Sequence, residues 1–176
     1  MRGTAATDRV GAMNGRRRAG LIAGSLGAVL LTATVLTGCG SGIGTTADEA
    51  KKSVVAFVDG STTALGDGWE VDSGPGLGKC DRGPGLGGIS YVYIKYGPAG
   101  QDPAADVDTV EQLWKRQGVT TERYESGGSD PVRGVRGTGG PVGSVDFLAS
   151  SEGYSIEGDS RCVAGDFDQI SRDSQE

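Results

Sequence analysis

The feature that most constrains this 176-residue chain is an uncharged, largely apolar run of 18 residues near its start, at 19–36. Five arginines and one aspartate precede the run, and three of the arginines stand together at 16–18. A positively charged segment followed by an apolar one is the pattern of an export signal. Eighteen residues lie at the lower limit for a membrane-spanning helix, and Gly20, Gly24 and Gly27 weaken a helix there. We therefore expect the run to be removed, so that only the residues after it fold.

The four residues that end at Cys39 indicate how the run is removed. Leu36-Thr37-Gly38-Cys39 resembles the lipobox of bacterial lipoproteins, which has a branched residue, two small residues and then a cysteine. The resemblance implies that Cys39 carries a diacylglyceryl group and becomes the first residue once the signal peptide, residues 1–38, is cut off. Two acyl chains hold a protein stably on a membrane, whereas one chain is only marginal. The alternatives are an uncleaved anchor helix and a signal peptide that is cut elsewhere.

The length of the leader predicts a start inside the printed sequence. Counted from Met1, 38 residues precede Cys39, which exceeds the usual length of about 15–30. Counted from Met13 there are 26, so we expect Met13 to be the true start. The arginine cluster partly resembles a twin-arginine export signal, but such pairs are too common to identify the export pathway.

Removal of the leader leaves a strongly acidic chain. Residues 39–176 contain 12 basic and 22 acidic residues, which gives a net charge of −10. A charge of this sign repels nucleic-acid phosphates and anionic lipid headgroups, so nucleic acid is a poor candidate partner. A cationic ligand or partner is compatible with the charge, although solubility alone also explains an acidic surface.

The same 138 residues suit one domain with one core. They include 26 glycines, nearly three times the usual share of about 7%, so we expect much loop. With Cys39 lipidated, Cys80 and Cys162 remain, and an even pair outside the cytoplasm predicts a disulfide. Closing this loop of about 83 residues is worth roughly 4–5 kcal/mol in the chain-entropy account.

Two segments give the clearest local signals. Thr46 and Glu49 have the spacing of a capping box, which predicts a helix from Thr46 to about Ala64. The stretch ISYVYIKY at 89–96 is rich in β-branched and aromatic residues on both faces, which predicts a central strand. The other expected elements are a strand from Trp69, a helix at 109–117 capped by Asp108 and Glu111, and strands at 119–124, 132–137, 142–149 and 154–157.

This order, α-β-β-α-β-β-β-β, predicts an α+β fold in which two helices pack on one face of a mainly antiparallel sheet. The single domain should occupy residues 46–165. A short flexible tether at 39–45 should precede it, and a polar tail at 166–176 should follow.

The residue types present exclude most catalytic chemistry. The chain has no histidine, which excludes histidine-based triads and histidine-ligated metal sites, and it has no G-x-S-x-G elbow. Asp106, Asp108 and Glu111 cluster at an expected helix start, where capping explains them, and their spacing does not fit a calcium loop. Gly83-x-Gly85-x-x-Gly88 precedes a strand and therefore fails as a dinucleotide motif. We predict no catalytic residue, no metal and no cofactor.

One glycine-rich segment offers a weak candidate ligand site. The pentapeptide GPGLG occurs at 74–78 and at 83–87, around Lys79, Cys80, Asp81 and Arg82. Its backbone could form an anion-binding nest beside Lys79 and Arg82. We favour the alternative, an exposed hairpin connection that the disulfide pins and that tolerates shortening.

Four aromatic residues are the candidates for an apolar cavity. Trp69, Tyr91, Tyr93 and Tyr96 could line such a cavity or fill the core, and we favour the core.

In layout the chain resembles small LppA-like lipoproteins of actinobacteria. The matching features are Leu36 to Cys39, Gly68-Trp69, Cys80 and the run from Gly158 to Val163 that contains Cys162. The resemblance implies an envelope location and an α+β domain, and it implies no activity.

These observations favour a non-enzymatic binding module, monomeric and lipid-anchored on the outer face of the cytoplasmic membrane. Its partner would be a cell-wall component, a lipid or another envelope protein. The alternatives are an envelope hydrolase that uses paired carboxylates and a carrier of a small apolar ligand.

We predict that Cys39→Ala abolishes lipid labelling, because the thiol that accepts the diacylglyceryl group is gone. Metabolic labelling with tagged palmitate measures this directly. Ordinary labelling of the variant would contradict the lipobox interpretation.

Overall fold

The computed structural model describes residues 45–174. The predicted signal peptide, the lipidation site Cys39 and all of the predicted tether except Thr45 lie outside this range. None of the helices in the described range is long and apolar enough to cross a membrane.

The described chain forms three helices and six strands, and it confirms the predicted α+β class and the order α-β-β-α-β-β-β-β. A third helix follows the last strand. The elements are α1 (Ala47–Thr63), β1 (Glu70–Asp81), β2 (Gly87–Gly97), α2 (Pro103–Arg116), β3 (Val119–Ser126), β4 (Val132–Gly139), β5 (Ser144–Ala149), β6 (Tyr154–Asp159) and α3 (Phe167–Asp173).

The six strands make one sheet in the order β1-β2-β6-β5-β4-β3, and every neighbouring pair is antiparallel. Strand β2 has a partner on each side, as its apolar residues on both faces predict. The two edges are β1 and β3.

Helix α1 begins where the capping box predicts. Thr46 Oγ1 accepts the Glu49 amide at 3.2 Å, and the Glu49 carboxylate accepts the Thr46 amide at 2.8 Å. The helix packs closely on β6, because a Cβ at Gly158 would lie 2.8 Å from Val58 Cγ2 and 3.0 Å from Val54 Cγ2. Glycine at this position lets the helix approach the strand.

Helix α2 begins six residues earlier than the sequence predicts. Its N-cap is Asp102, whose side chain accepts the amides of Ala104 and Ala105 at 3.1 Å, and Pro103 occupies the first turn. Asp108 and Glu111, the predicted caps, lie inside the helix, and Glu111 is buried there. The pair Asp102-Pro103 is the sequence signal that marks this start.

The two long helices meet at Trp114. Its side chain is fully buried, its ring centroid lies 5.8 Å from that of Phe57, and its Nε1 donates to Ser61 Oγ at 2.9 Å. The hydrogen bond gives the Trp114 indole and the Ser61 hydroxyl a partner in the core. Together with the ring contact it joins α1 and α2 side by side in one layer.

Two predicted irregular segments are regular in the structure. The first GPGLG copy lies within β1, where Gly76 to Gly78 pair with Val92 to Ser90 of β2, so the prediction that both copies are loop is wrong for this copy. The predicted polar tail contains α3, whose Phe167 and Ile170 pack against the core.

Glu111 ties α2 to β3 on the covered side of the sheet. Its carboxylate accepts hydrogen bonds from Arg123 Nε at 2.9 Å and Thr121 Oγ1 at 3.0 Å, and it lies 2.9 Å from Lys115 Nζ. Hydrogen bonds from Arg123 and Lys115 to the charged form lower the pKa of Glu111 to about 2.

We predict that this carboxylate makes stability depend on pH. A folded-state pKa below the unfolded value stabilises the fold above about pH 4.5, and the contribution is lost as the pH falls toward 2. Glu111→Gln should remove up to about 3 kcal/mol of the free energy of unfolding at pH 7 and flatten the dependence below pH 5. Urea unfolding at several pH values measures both effects, and an unchanged acid limb in the variant would contradict this role.

Candidate functional site

The sheet has a covered face and an uncovered one. Side chains alternate between the faces along each strand, and directly paired residues share a face. Gly158 faces α1, and Arg123 faces Glu111 of α2, so both helices lie on the same side. Lys79 of β1 faces α3 and pairs with Ile89 of β2. Ile89 is buried and lies on the same face of β2 as the buried Tyr91 and Tyr93, so α3 packs on this face too. All three described helices therefore pack on one side, which we call the helix face, and the opposite side is the open face.

The register of β3, β4, β5 and β6 arranges the side chains of the open face in rows across the sheet. The middle row is the most highly charged, and polar rows flank it. In strand order β3-β4-β5-β6, the middle row is Glu122, Arg136, Asp146 and Glu157; the next is Thr120, Thr138, Ser144 and Asp159; the third is Tyr124, Gly134, Leu148 and Ser155.

Arg136 is the cation of the middle row. Its Nε and Nη2 donate to Glu122 Oε2 at 3.1 and 3.0 Å, and its guanidinium lies 5.5 Å from the centroid of the Tyr124 ring. Both contacts fix the orientation of a side chain that remains exposed.

Tyr124 is the aromatic side chain of the third row. Its ring lies over Gly134, where a Cβ would meet the ring at 2.4 Å, and its hydroxyl donates to Asp146 Oδ1 at 2.5 Å. Burial and the neighbouring Asp146 carboxylate both raise the pKa of Tyr124 well above its ordinary value. The hydroxyl therefore remains a proton donor and holds Asp146 in place.

The middle row and the row that contains Asp159 are the two charged rows, and they line a shallow groove of about 430 Å³. Asp159 accepts a hydrogen bond from Ser144 Oγ at 3.0 Å, whereas Glu157 has no hydrogen bond or ion pair within residues 45–174. Four carboxylates and one guanidinium give the groove a negative charge, and hydroxyls surround them. Such a surface suits a ligand that offers hydroxyl or cationic groups.

Asp146 and Glu157 are directly opposite each other on β5 and β6. They are the two carboxylates of the middle row that are directly paired, and paired cross-strand positions have Cβ atoms about 4.5–5.5 Å apart. Within the described residues no group of three or more acidic or cysteine side chains is arranged to hold a metal ion.

Comparison with known proteins finds one structural neighbour at low similarity. The sequence matches no family model and no curated protein. A crystal structure of a DUF4853 family protein from Actinomyces odontolyticus ATCC 17982 is similar to the chain, with a TM-score of 0.46 and 20% identity. The match covers 68% of this chain and 66% of that one, and at this TM-score it carries no argument about fold or function.

The predicted disulfide is present. Cys80 and Cys162 are bonded, and their Cα atoms lie 5.9 Å apart. The bond joins the end of β1 to the segment after β6.

Lys79 and Arg82 do not form the common site that the glycine-rich segment suggested. Lys79 Nζ lies 3.7 Å from Asp168 and 4.8 Å from the Phe167 ring centroid, both in α3, whereas Arg82 lines a cleft with Arg161. Two amides of the turn are already bonded within the chain: Gly83 to Asp81 Oδ1 at 2.8 Å, and Leu86 to Gly83 O at 2.9 Å. These contacts leave fewer donors for an anion-binding nest.

The aromatic residues divide between the core and the surface. Tyr91 and Tyr93 are buried, which confirms the core interpretation for both, and Trp69 is half-buried against it. Tyr96 is 53% exposed and pairs with Ser155, which places it at the end of the third row of the open face.

The residues of the open face are not identifiable from the sequence alone. The alternation of Thr120, Glu122 and Tyr124 with Thr121 and Arg123 was visible, but the rows depend on the register between strands. Both faces of β3 carry polar residues, so alternation alone does not identify the exposed face.

We predict that two neighbouring substitutions on β4 differ in their cost. Gly134→Ala should displace the Tyr124 ring and break its hydrogen bond to Asp146, which should lower the free energy of unfolding by about 1–2 kcal/mol. Arg136→Ala removes an exposed ion pair and should cost less than about 1 kcal/mol. Urea unfolding of the two variants measures the difference, and a larger cost for Arg136→Ala would contradict the described packing.

Proposed function

We propose that the protein is a lipoprotein, held through Cys39 on the outer face of the cytoplasmic membrane, that acts as a non-enzymatic binding module of the cell envelope. The lipobox resemblance supports the anchor. The open face of the sheet is the observation that carries the binding role.

A solvated face is common in antiparallel sheets, so exposure alone does not indicate binding. The open face differs because its polar side chains hold one another. Arg136 is bonded to Glu122, Tyr124 to Asp146, and Ser144 to Asp159. Side chains that are already ordered lose less conformational entropy when a partner binds.

The chemistry of the groove favours a polar partner. Carboxylates exceed guanidinium groups four to one in its two charged rows, and threonine and serine hydroxyls flank them. A polymer rich in hydroxyl groups or a protein segment with basic side chains complements this surface. Tyr91 and Tyr93 are buried among the core residues, so they provide no support for an apolar carrier.

Co-purification from native membranes tests the binding role. The lipoprotein and an Arg136→Ala/Glu157→Gln variant are cross-linked in membranes, purified in mild detergent and analysed by mass spectrometry. Both substitutions are on exposed side chains, so the fold should persist while the partner is lost.

The control variant is Arg116→Ala/Asp173→Asn, which removes one positive and one negative charge from exposed positions on helices. The proposal predicts that wild type and control retain the same component and that the open-face variant loses it at least tenfold. Equal recovery from all three proteins would contradict a binding role for the open face.

The pairing of Asp146 with Glu157 supports a second candidate, a carboxylate-based envelope hydrolase. Glycosidases use a pair of carboxyl groups on either side of the scissile bond, and Asp146 and Glu157 occupy directly opposed positions on neighbouring strands. This candidate predicts cleavage of isolated cell-wall glycan by the purified protein and its loss in Glu157→Gln, with the fold intact. The absence of any released reducing ends with the wild-type protein would exclude it.

A further inference from the structure

A basic cleft lies where the described chain begins. Thr45 and Thr46 line it together with Arg82 and Arg161, and its volume is about 520 Å³. The described residues that line it include no carboxylate. This composition contrasts with the rest of the chain, because acidic residues outnumber basic ones by 22 to 12 in residues 39–176.

Long-range contacts bring the two arginines together. Arg82 follows β1, and Arg161 follows β6, 79 positions further along the chain. The Cys80–Cys162 bond links their neighbours, and Ile89 and Val163 exchange both backbone hydrogen bonds at 2.9 Å. The cleft is therefore held by a covalent cross-link and by strand pairing.

Both guanidinium groups retain donors for a ligand. Arg82 Nε donates to the Gly87 carbonyl at 3.1 Å, and Arg161 Nη2 donates to the Gly140 carbonyl. Neither arginine has an ion-pair partner in the part of the chain that the structure describes. A guanidinium has five N–H groups in a planar arrangement that matches phosphate oxygens, so most of these donors are available.

An exposed apolar side chain stands in the same turn. Leu86 is 55% exposed, and its carbonyl accepts the Arg82 amide at 2.9 Å. An exposed leucine in a turn that also carries an arginine is a combination that interfacial membrane segments use: the apolar group enters the headgroup layer and the cation contacts phosphates.

The short tether determines which end of the domain meets the membrane. Six residues, 40–45, separate Cys39 from the cleft, and six extended residues span at most about 22 Å. A domain of this size has a radius of gyration of about 14 Å, so its far end is beyond that reach. The net negative charge of residues 39–176 repels anionic headgroups. Attraction to the membrane therefore depends on Arg82 and Arg161, because the cleft lining within the described chain has no carboxylate, although Asp48, Glu49 and Asp81 lie in the flanking turns.

We propose that Arg82 and Arg161 bind phosphate groups of anionic phospholipids while Leu86 enters the headgroup layer, so that this end of the domain docks on the membrane. The inference rests on the proposed lipidation of Cys39. It adds a second, non-covalent contact that orients the open face relative to the bilayer.

A tryptophan reporter tests the docking. The processed full-length lipoprotein with Leu86→Trp is reconstituted into vesicles of phosphatidylcholine and phosphatidylglycerol, with brominated or ordinary acyl chains. Its matched control is Val71→Trp, because Val71 is 54% exposed and lies at the opposite end of β1. Both variants retain the native Trp69 and Trp114. The quenching of these two residues is measured in the wild-type protein and subtracted.

Bromine should quench Leu86→Trp several times more than Val71→Trp. Adding Arg82→Ala and Arg161→Ala should reduce the quenching to the Val71→Trp level, since each basic residue changes the docked population about fivefold. Adding Arg116→Ala and Arg133→Ala instead removes the same charge from positions that do not line the cleft and should leave the quenching unchanged.

Flotation of the vesicles distinguishes a failure of the docking from a failure of the lipid anchor. Variants that float with the vesicles but show equal quenching at positions 71 and 86 would overturn the docking and leave the anchor intact. Quenching at position 86 that persists without both arginines would also overturn it. Failure of the wild-type protein to float would contradict the lipid anchor itself.

Discussion

The alternation of side chains along the strands places most of the apolar side chains on one face of the sheet, and the helices pack against that face. Phe147, Ile156 and Val135 are fully buried on that face, and Gly158 lets α1 lie directly against β6. Since three helices share this side, the opposite side remains available as a broad polar surface. The same packing that forms the core therefore also defines the candidate binding surface.

The disulfide organises the end of the domain at which the tether arrives. It joins β1 to the segment after β6 across a sequence separation of 82. A glycine-rich hairpin is weakly ordered by its own contacts, because glycine loses more backbone entropy on folding than other residues. The bond and the pairing of Ile89 with Val163 keep this hairpin beside Arg161. The basic cleft thus depends on contacts between residues far apart in the sequence.

Local signals predicted the parts of the fold that local interactions determine. The capping box located the start of α1, the β-branched and aromatic residues located β2, and the two remaining cysteines predicted the disulfide. The length of β1 was not predictable in this way, because glycine and proline disfavour strands and only the pairing with β2 orders them. Helix α3 was missed because its seven residues carry few apolar side chains. The rows of the open face depend on the register between strands, and the Arg82–Arg161 cleft depends on the disulfide. Neither is encoded in a single segment of the sequence.

The most direct test of the account compares carboxylate labelling of the lipoprotein in intact native membranes with labelling of the same protein purified in detergent. Glu122 and Glu157 are on the open face, whereas Asp67 and Asp108 are exposed elsewhere. Carbodiimide-driven coupling of an amine, read by peptide mass spectrometry, reports the accessibility of each carboxyl group. We predict that Glu122 and Glu157 are several times less labelled in membranes than in detergent, while Asp67 and Asp108 are labelled equally in both. Equal labelling of all four carboxyl groups in the two states would contradict the proposal that the open face binds a partner in the envelope.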